Sequence, residues 1–173
     1  MMEKIQKCGA MFTPVMLFAV SAVLIGFGTL FTTEQIMGAM AAEGTFWRGF
    51  WDMILSGGWT VFNQLPLLFA VSLPIGLANK QNARACMESL VIYLIFNYYV
   101  ASILGTWGST FGVDYSLEAG AESGLATIAN IKTLDMGMMG ALLISGLAIY
   151  LHNKYFDTGL PEWLGVFRGS AFV

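Results

Sequence analysis

The sequence is short of charge, of cysteine and of histidine. Asp, Glu, Lys and Arg make up only 11% of its 173 residues, less than half the roughly 25% usual in a soluble domain. So little charge excludes an ordinary water-soluble globular protein. A single histidine, His152, excludes a multi-His metal site, and neither a metal nor a cofactor is expected. The two cysteines, Cys8 and Cys86, form no Cys-x-x-Cys pair and have no histidine neighbour. Both fall in segments assigned below to the reducing, cytoplasmic side, so a structural disulfide is not expected. The 8 basic residues stand against 11 acidic ones and form no basic run, which excludes a nucleic-acid partner. Glycine is plentiful, at 20 residues, but without a fixed period, so collagen-like and low-complexity readings fail.

What remains is apolar. Hydrophobic residues make up 57% of the chain, aromatics 14%, and eleven methionines are present; mean hydropathy is +0.68. The expected class is an all-α integral membrane protein. Crossing a hydrocarbon core of about 30 Å takes roughly 20 apolar residues in a helix. About four windows meet or approach that length: 11–31, 53–78, 89–107 and 134–151. Lys4 and Lys7 before the first window imitate a signal peptide. The uncharged stretch behind them runs to roughly 21 residues, too long for such a segment, and no Ala-x-Ala site follows. It is read as a first spanning helix.

Basic residues set the orientation. Lys4 and Lys7, then Lys80 and Arg84, then Lys154 and Arg168 flank alternate ends of the windows. The other two connections hold Glu34, Glu43 and Asp52 against Arg48, and Asp114, Glu118, Glu122 and Asp135 against Lys132. Both termini are therefore expected on the cytoplasmic side of a multi-pass chain. Phe46–Trp51 (Phe-Trp-Arg-Gly-Phe-Trp) suits an aromatic belt or a short interfacial helix at the outer surface. The tail, 160–173, mixes Trp163, Leu164, Val166 and Phe167 with Glu162 and Arg168, as in a helix lying on the interface with Pro161 near its start.

No constellation carries chemistry. Pro66 and Pro74 interrupt the second window; such breaks line substrate paths in transporters, but neighbours that satisfy the freed carbonyl make them simple kinks, the preferred reading. Asn63, Gln64 and Asn97 need partners at membrane depth, and interhelical hydrogen bonds are expected before substrate contacts. Ala22 and Gly26, and Gly137, Ala141 and Ser145, form small-residue stripes suited to close helix packing. Asp135 and Glu88 stand at the expected starts of spans four and three, where capping is the default and a proton relay would need greater depth. His152 is placed at the interface, at the end of the last span, in preference to a phosphate-accepting role. Cys86 beside Arg84 is the one conceivable thiol nucleophile. No catalytic residue is assigned, and the substrate-binding residues are unknown.

Two stretches resemble a known family. Asn63–Ala78 (Asn-Gln-Leu-Pro-Leu-Leu-Phe-Ala-Val-Ser-Leu-Pro-Ile-Gly-Leu-Ala) is similar to the signature span of enzyme IIC permeases in the glucose superfamily of the bacterial phosphotransferase system. Leu134–Val173 resembles a later block of the same domain. There an Asp-x-Gly opens a Gly-rich span that ends in Tyr-Leu-x-Asn-Lys/Arg-Tyr/Phe, followed by Leu-Pro-Glu-Tyr/Trp-Leu-Gly-x-Phe, here Leu160–Phe167. Gly169 and Phe172-Val173 match the end of the block. Thr29–Met37, Lys80–Glu88 and Asn130–Gly137 resemble the α-glucoside (maltose-type) branch. Asp135-Met136-Gly137 stands where Asp-Thr-Gly is common, and Ser170-Ala171 where many relatives carry Lys-Arg. The second departure favours an α-glucoside over the alternatives, glucose and N-acetylglucosamine.

The resemblance implies that the membrane is the bacterial inner membrane, and that the protein is a homodimeric permease that carries a sugar inward while a phosphocysteine domain, IIB, phosphorylates it, itself charged by IIA. Enzymatically the family is a phosphohistidine–sugar phosphotransferase. Its Gly-Leu-His-His-type and Thr-Glu-Pro-type motifs do not occur here, nor does Cys-x-Thr-Arg-Leu-Arg of IIB. Residues 1–173 therefore correspond to the N-terminal scaffold part of a IIC domain, expected to be inactive alone, with the transport half, IIB and IIA as missing partners. The rival reading is a non-enzymatic four-helix membrane protein or decayed gene product that dimerises with, or modulates, full-length permease.

Overall fold

The computed structural model describes residues 2–120 and 123–156, with side chains from Pro14 onward. The expected interfacial helix over 160–173 lies outside the described residues, as do the side chains of Lys4, Lys7 and Cys8. Six α-helices occur among the described residues: α1 (Met2–Thr32), α2 (Glu34–Met37), α3 (Phe46–Asn63), α4 (Leu65–Leu77), α5 (Asn82–Trp107) and α6 (Gly137–Tyr155). Short 3-10 turns follow α2 and α5, and a two-stranded hairpin, β1 (Leu125–Ile128) and β2 (Ile131–Leu134), precedes α6. The chain divides into two compact units, Thr13–Leu65 and a second built from the residues before Thr13 together with those from Pro66 onward.

In the first unit, α1 and α3 pack antiparallel in a regular register. Phe18 meets Phe62 with ring centroids 5.0 Å apart. The Ser21 hydroxyl donates to the Gly58 carbonyl at 2.6 Å, Gly28 lies against Leu55, and Phe31 stacks on Trp51 at 4.3 Å. Steps of three and four along α1 keep Ser21, Ile25 and Gly28 on one face. Lipid tails are as apolar as leucine, so such a pair is held by close approach and hydrogen bonds. Ala22 and Gly26, the stripe expected to pack, are exposed instead. The approach is closest at Gly58, where a Cβ would sit 2.7 Å from Ile25 Cγ1 and 3.2 Å from the Ser21 carbonyl oxygen. Gly58→Val is thus expected to cost about 1–3 kcal/mol by overpacking, read as a lower thermal midpoint in detergent. Gly57→Ala, with nothing within 4 Å of its Cβ, is the matched control and should not destabilise.

Thr45 caps α3, its hydroxyl accepting from the Arg48 amide at 3.3 Å; such a cap contributes about 1 kcal/mol. The Arg48 guanidinium bonds the Ala41 carbonyl at 3.0 Å and lies near Glu34 and Asp52. The apolar window that was expected to run unbroken over 53–78 is interrupted at Gln64. Pro66 explains the place: it lacks the N–H that a continuous helix would need, and it sits in the first turn of α4, where that N–H is not required.

The second unit holds α4, α5, the hairpin and α6. The buried face of α5 is Ala85, Ser89, Tyr93, Asn97 and Leu104, and that of α6 includes Ala141, Ser145, Ala148 and His152. Small or polar residues make up most of both faces, which suits helices packed in an apolar medium. The hairpin was read from sequence as plain connection. Its antiparallel register pairs Leu125 with Leu134 and Ile128 with Ile131. Ala129 and Asn130 turn the chain with both φ values positive, 48° and 65°, as a two-residue hairpin turn of type I′ requires. Ile128, beside the turn, packs with Ala70, Tyr93 and Ala141, so the hairpin tip reaches into the core between the helices.

Among the described residues, two helical stretches, Pro14–Thr32 and Asn82–Phe111, are long and apolar enough to cross a membrane, and a third crossing results if α3 and α4 count as one broken span. The sequence reading expected about four spans. The fourth window is indeed helical, but Leu134 ends β2, and α6 starts three residues later. Its last turn carries His152 and Lys154, which dilutes its apolar character.

Candidate functional site

The chemistry of the second unit begins with Pro74. In an α-helix the carbonyl of residue i accepts from the amide of residue i+4. Pro74 has no amide hydrogen, so the Ala70 carbonyl is left without its helical donor. Two serines replace it. Ser89 of α5 donates to the Ala70 oxygen at 2.7 Å, and Ser145 of α6 lies 3.0 Å from the same oxygen. The two hydroxyls are 3.0 Å apart, and both residues are completely buried. One proline thus ties three helices together through a single carbonyl.

A second node lies where α4 turns into α5. The last carbonyls of a helix have no intrahelical donor. Here the Asn82 side chain donates to the Ile75 oxygen at 2.6 Å, and the Asn153 side chain to the Leu77 oxygen at 3.1 Å. Asn153 also accepts from the Asn79 amide at 2.8 Å. Its neighbour on the buried side, His152, has Nε2 2.8 Å from the Lys80 carbonyl oxygen and Nδ1 2.6 Å from Glu88 Oε2. A carbonyl oxygen can only accept, so Nε2 carries a hydrogen, and Nδ1 shares a second one with the Glu88 carboxyl. His152 is 1% exposed; the Glu88 side chain retains 17%.

Several expectations change at this node. Glu88 is not a cap, because α5 begins at Asn82 and Glu88 lies within it. His152 is buried and paired with Glu88, where an interfacial side chain was expected. Asp135 does act at a helix start: its Oδ1 accepts from the Gly137 amide at 3.0 Å, where Gly137 has a φ of +55° that a side chain would strain. Asn97 bonds the Tyr93 carbonyl of its own helix at 2.8 Å, not another helix. Asn63 is exposed and Gln64 half-buried at the helix break. Cys86 is a free thiol, half-buried in α5, and the Arg84 guanidinium donates to the Gln81 side-chain oxygen at 3.4 Å. The Glu88–His152 pair and the serine node were both missed. Their members stand 64 and 56 residues apart, beyond any local signal.

At the opposite end of α5 an open cavity of about 410 Å³ is lined by Gly105, Thr106, Ser109, Asp114, Tyr115 and Ser116 among others. The Ser116 hydroxyl and amide hold the Asp114 carboxyl below its ordinary value. The Tyr115 hydroxyl donates to the Lys132 carbonyl at 2.8 Å, and the Lys132 ammonium donates to the Tyr115 carbonyl at 2.6 Å. This reciprocal pair fastens the loop to the hairpin. The arrangement binds backbone to backbone through side chains, and among the described residues neither end brings a nucleophile to a base.

Comparison with known proteins accounts for this architecture. Residues 9–173 match the family described as phosphotransferase system, EIIC. The chain is 52% identical over its full length to a maltose-specific EIICB component of Bacillus subtilis, covering 33% of that protein. It is 50% identical over its full length to an α-glucoside-specific EIICB component of Leptotrichia buccalis, covering 32% of it. A glucose-specific EIICBA component of Staphylococcus carnosus is 29% identical over 98% of the chain and 24% of its own length. The chain thus spans about a third of the length of the curated maltose and α-glucoside relatives it matches. With a match over nearly every residue and a helical structure bearing membrane-length apolar spans, the chain belongs to the EIIC family of phosphotransferase-system membrane permease domains.

Proposed function

We propose that the chain is the scaffold part of an α-glucoside permease of the maltose type, which takes up its sugar and phosphorylates it by group translocation. In this reading residues 1–173 form the N-terminal part of a EIIC domain. The sugar-binding and transport half, and the IIB and IIA phosphocarriers, are supplied by other sequence. The complete permease works as a homodimer in the bacterial inner membrane, with both termini of this chain in the cytoplasm. The substrate class rests on the likeness to maltose and α-glucoside relatives being much stronger than that to the glucose relative.

The structural observation that supports a scaffold role is the way α4, α5 and α6 are joined. Side-chain hydrogen bonds meet at the Ala70 carbonyl and again at Leu77, Lys80 and Glu88. Helices pinned at two levels move as one body, which is what alternating access needs of the part that stays fixed. Basic residues at the α4–α5 turn and after α6, against acidic ones in the other connections, support the orientation.

The test is a chimera in which this chain replaces the matching third of the Bacillus subtilis relative. Phosphoenolpyruvate-dependent phosphorylation of labelled maltose should be retained. A chimera that inserts into membranes at normal levels yet phosphorylates no α-glucoside would overturn the reading.

A further inference from the structure

Depth along α5 puts the hairpin inside the membrane layer. From Ser89 to Trp107 the helix carries no charge; at 1.5 Å per residue that stretch is about 28 Å long, close to the thickness of a hydrocarbon core. α6 runs antiparallel beside only part of it. Ser145 meets Ser89, and α6 begins at Gly137, about 12 Å farther toward Trp107. That is the level of Asn97, so α6 leaves the last ~15 Å of the apolar stretch uncovered. The hairpin and the loop before it stand there. The Tyr115 ring lies 3.9 Å from where a Cβ on Gly105 would be, and its hydroxyl bonds the Lys132 carbonyl of β2 at 2.8 Å. Ile128, at the hairpin tip, reaches deeper and packs with Tyr93 and Ala141.

A hairpin at that depth has to satisfy a strict condition. Its turn, Ala129-Asn130, is exposed, and so are Thr127 and Asp135. Exposed non-helical backbone does not occur against lipid tails; it is tolerated only inside protein or beside water. Asp135 decides between those two. Its carboxylate caps the start of α6 through the Gly137 amide, level with the middle of the apolar stretch. A charge held there without water is costly. Lys132, the basic residue nearest to it in sequence, donates instead to the Tyr115 carbonyl at 2.6 Å. The open cavity of about 410 Å³, lined by Gly105, Asp114 and Ser116 among others, lies against the same stretch of α5.

We infer that the hairpin lines a water-filled vestibule, which enters the bilayer beside the Trp107 end of α5 and reaches down to Asn130. The vestibule itself follows from the membrane class; its use as the approach path of a sugar rests on the function proposed above. A sugar sheds hydrogen bonds to water on entering an apolar medium. A path that is wet to this depth leaves a shorter dry distance for the transport half to carry it across.

The test places single cysteines in a chain carrying Cys8→Ser and Cys86→Ser, held in phosphatidylcholine nanodiscs. Asn130→Cys is the first probe. Thr127→Cys is the second, free of the positive φ of 65° at Asn130. Leu143→Cys is the control, 66% exposed on α6 half a turn from Ser145 and so at a similar depth. Each variant is required to keep the helical circular dichroism spectrum. Methanethiosulfonate ethylsulfonate, a charged thiol reagent, should modify both hairpin cysteines about tenfold or more faster than Leu143→Cys, because charge is excluded from hydrocarbon. The apolar reagent N-ethylmaleimide should reach all three. Hairpin cysteines that resist the charged reagent as Leu143→Cys does, yet take N-ethylmaleimide, overturn the inference. Equal rates with the charged reagent at all three sites overturn it too. A maltose-phosphorylating chimera combined with either result sinks the vestibule alone; an inactive chimera combined with reactive hairpin cysteines sinks the functional reading and supports the vestibule.

Discussion

Replacing His152 with leucine is expected to destabilise the second unit by about 3 kcal/mol, at the lower end of what breaking a buried ion pair costs. The substitution removes two hydrogen bonds at once. It strands the Lys80 carbonyl and leaves the Glu88 carboxyl, only 17% exposed, without its partner. Glu88→Gln distinguishes charge from hydrogen bonding. A glutamine amide can donate to Nδ1 while Nε2 keeps its hydrogen on the Lys80 carbonyl, so every polar group stays paired in a neutral arrangement. That variant should lose less than about 1 kcal/mol. Thermal unfolding of the chain in a mild detergent, followed by far-ultraviolet circular dichroism, reads both. Equal losses for the two variants would mean that charge, not hydrogen-bond completion, holds the pair.

Removing both serine hydroxyls, Ser89→Ala with Ser145→Ala, is expected to cost about 2 kcal/mol or more, because the Ala70 carbonyl is then buried with no donor. Either single substitution should cost clearly less, since the remaining hydroxyl still reaches the same oxygen, at 2.7 or 3.0 Å. The decisive variant adds Pro74→Ala. Alanine restores the amide that a regular helix would offer to Ala70, so the serine losses should shrink in that background. A double-serine cost that is the same with proline or alanine at residue 74 would show that the hydroxyls stabilise something other than the freed carbonyl. Neighbouring groups that share one partner couple in this way, by about 0.5–3 kcal/mol.

The two nodes show how far the sequence could be read. Pro74 and the need for a neighbour to satisfy its carbonyl follow from local chemistry. The identity of the donors does not, because Ser89 and Ser145 are 19 and 75 residues from Ala70. Hydropathy measures apolar length, not helical length, and so started the third span at Ser89. The helix in fact begins at Asn82 and takes Arg84 and Glu88 inside it. That offset made Glu88 look like a cap and hid its pairing with His152. The hairpin escaped notice for another reason. Its strands are four residues long, and its turn is Ala129-Asn130, without the glycine that usually announces a type I′ turn. In α1, small residues at four-residue spacing pointed to Ala22 and Gly26. The face that packs is fixed instead by Ser21, Ile25 and Gly28 meeting Leu55 and Gly58. The membrane class, by contrast, was plain from composition, and the family from motifs that extend over the whole chain.

Under the proposed function, the polar nodes would also bear on how the permease moves. Each ties side chains to backbone atoms of a different helix, and such contacts persist only if the helices keep their spacing. In that reading, a fixed body of this kind would give a moving transport half something to work against. The account therefore makes the chain necessary for transport but not sufficient for it.

The most direct measurement is phosphoenolpyruvate-dependent phosphorylation of labelled maltose by membranes that contain this chain and the soluble phosphotransferase components. The assay is run with and without the remaining two-thirds of the Bacillus subtilis relative expressed alongside. The account predicts no phosphorylation by the chain alone and clear phosphorylation once the remainder is present. Phosphorylation by the chain alone would contradict it, because the catalytic groups would then have to lie within these 173 residues.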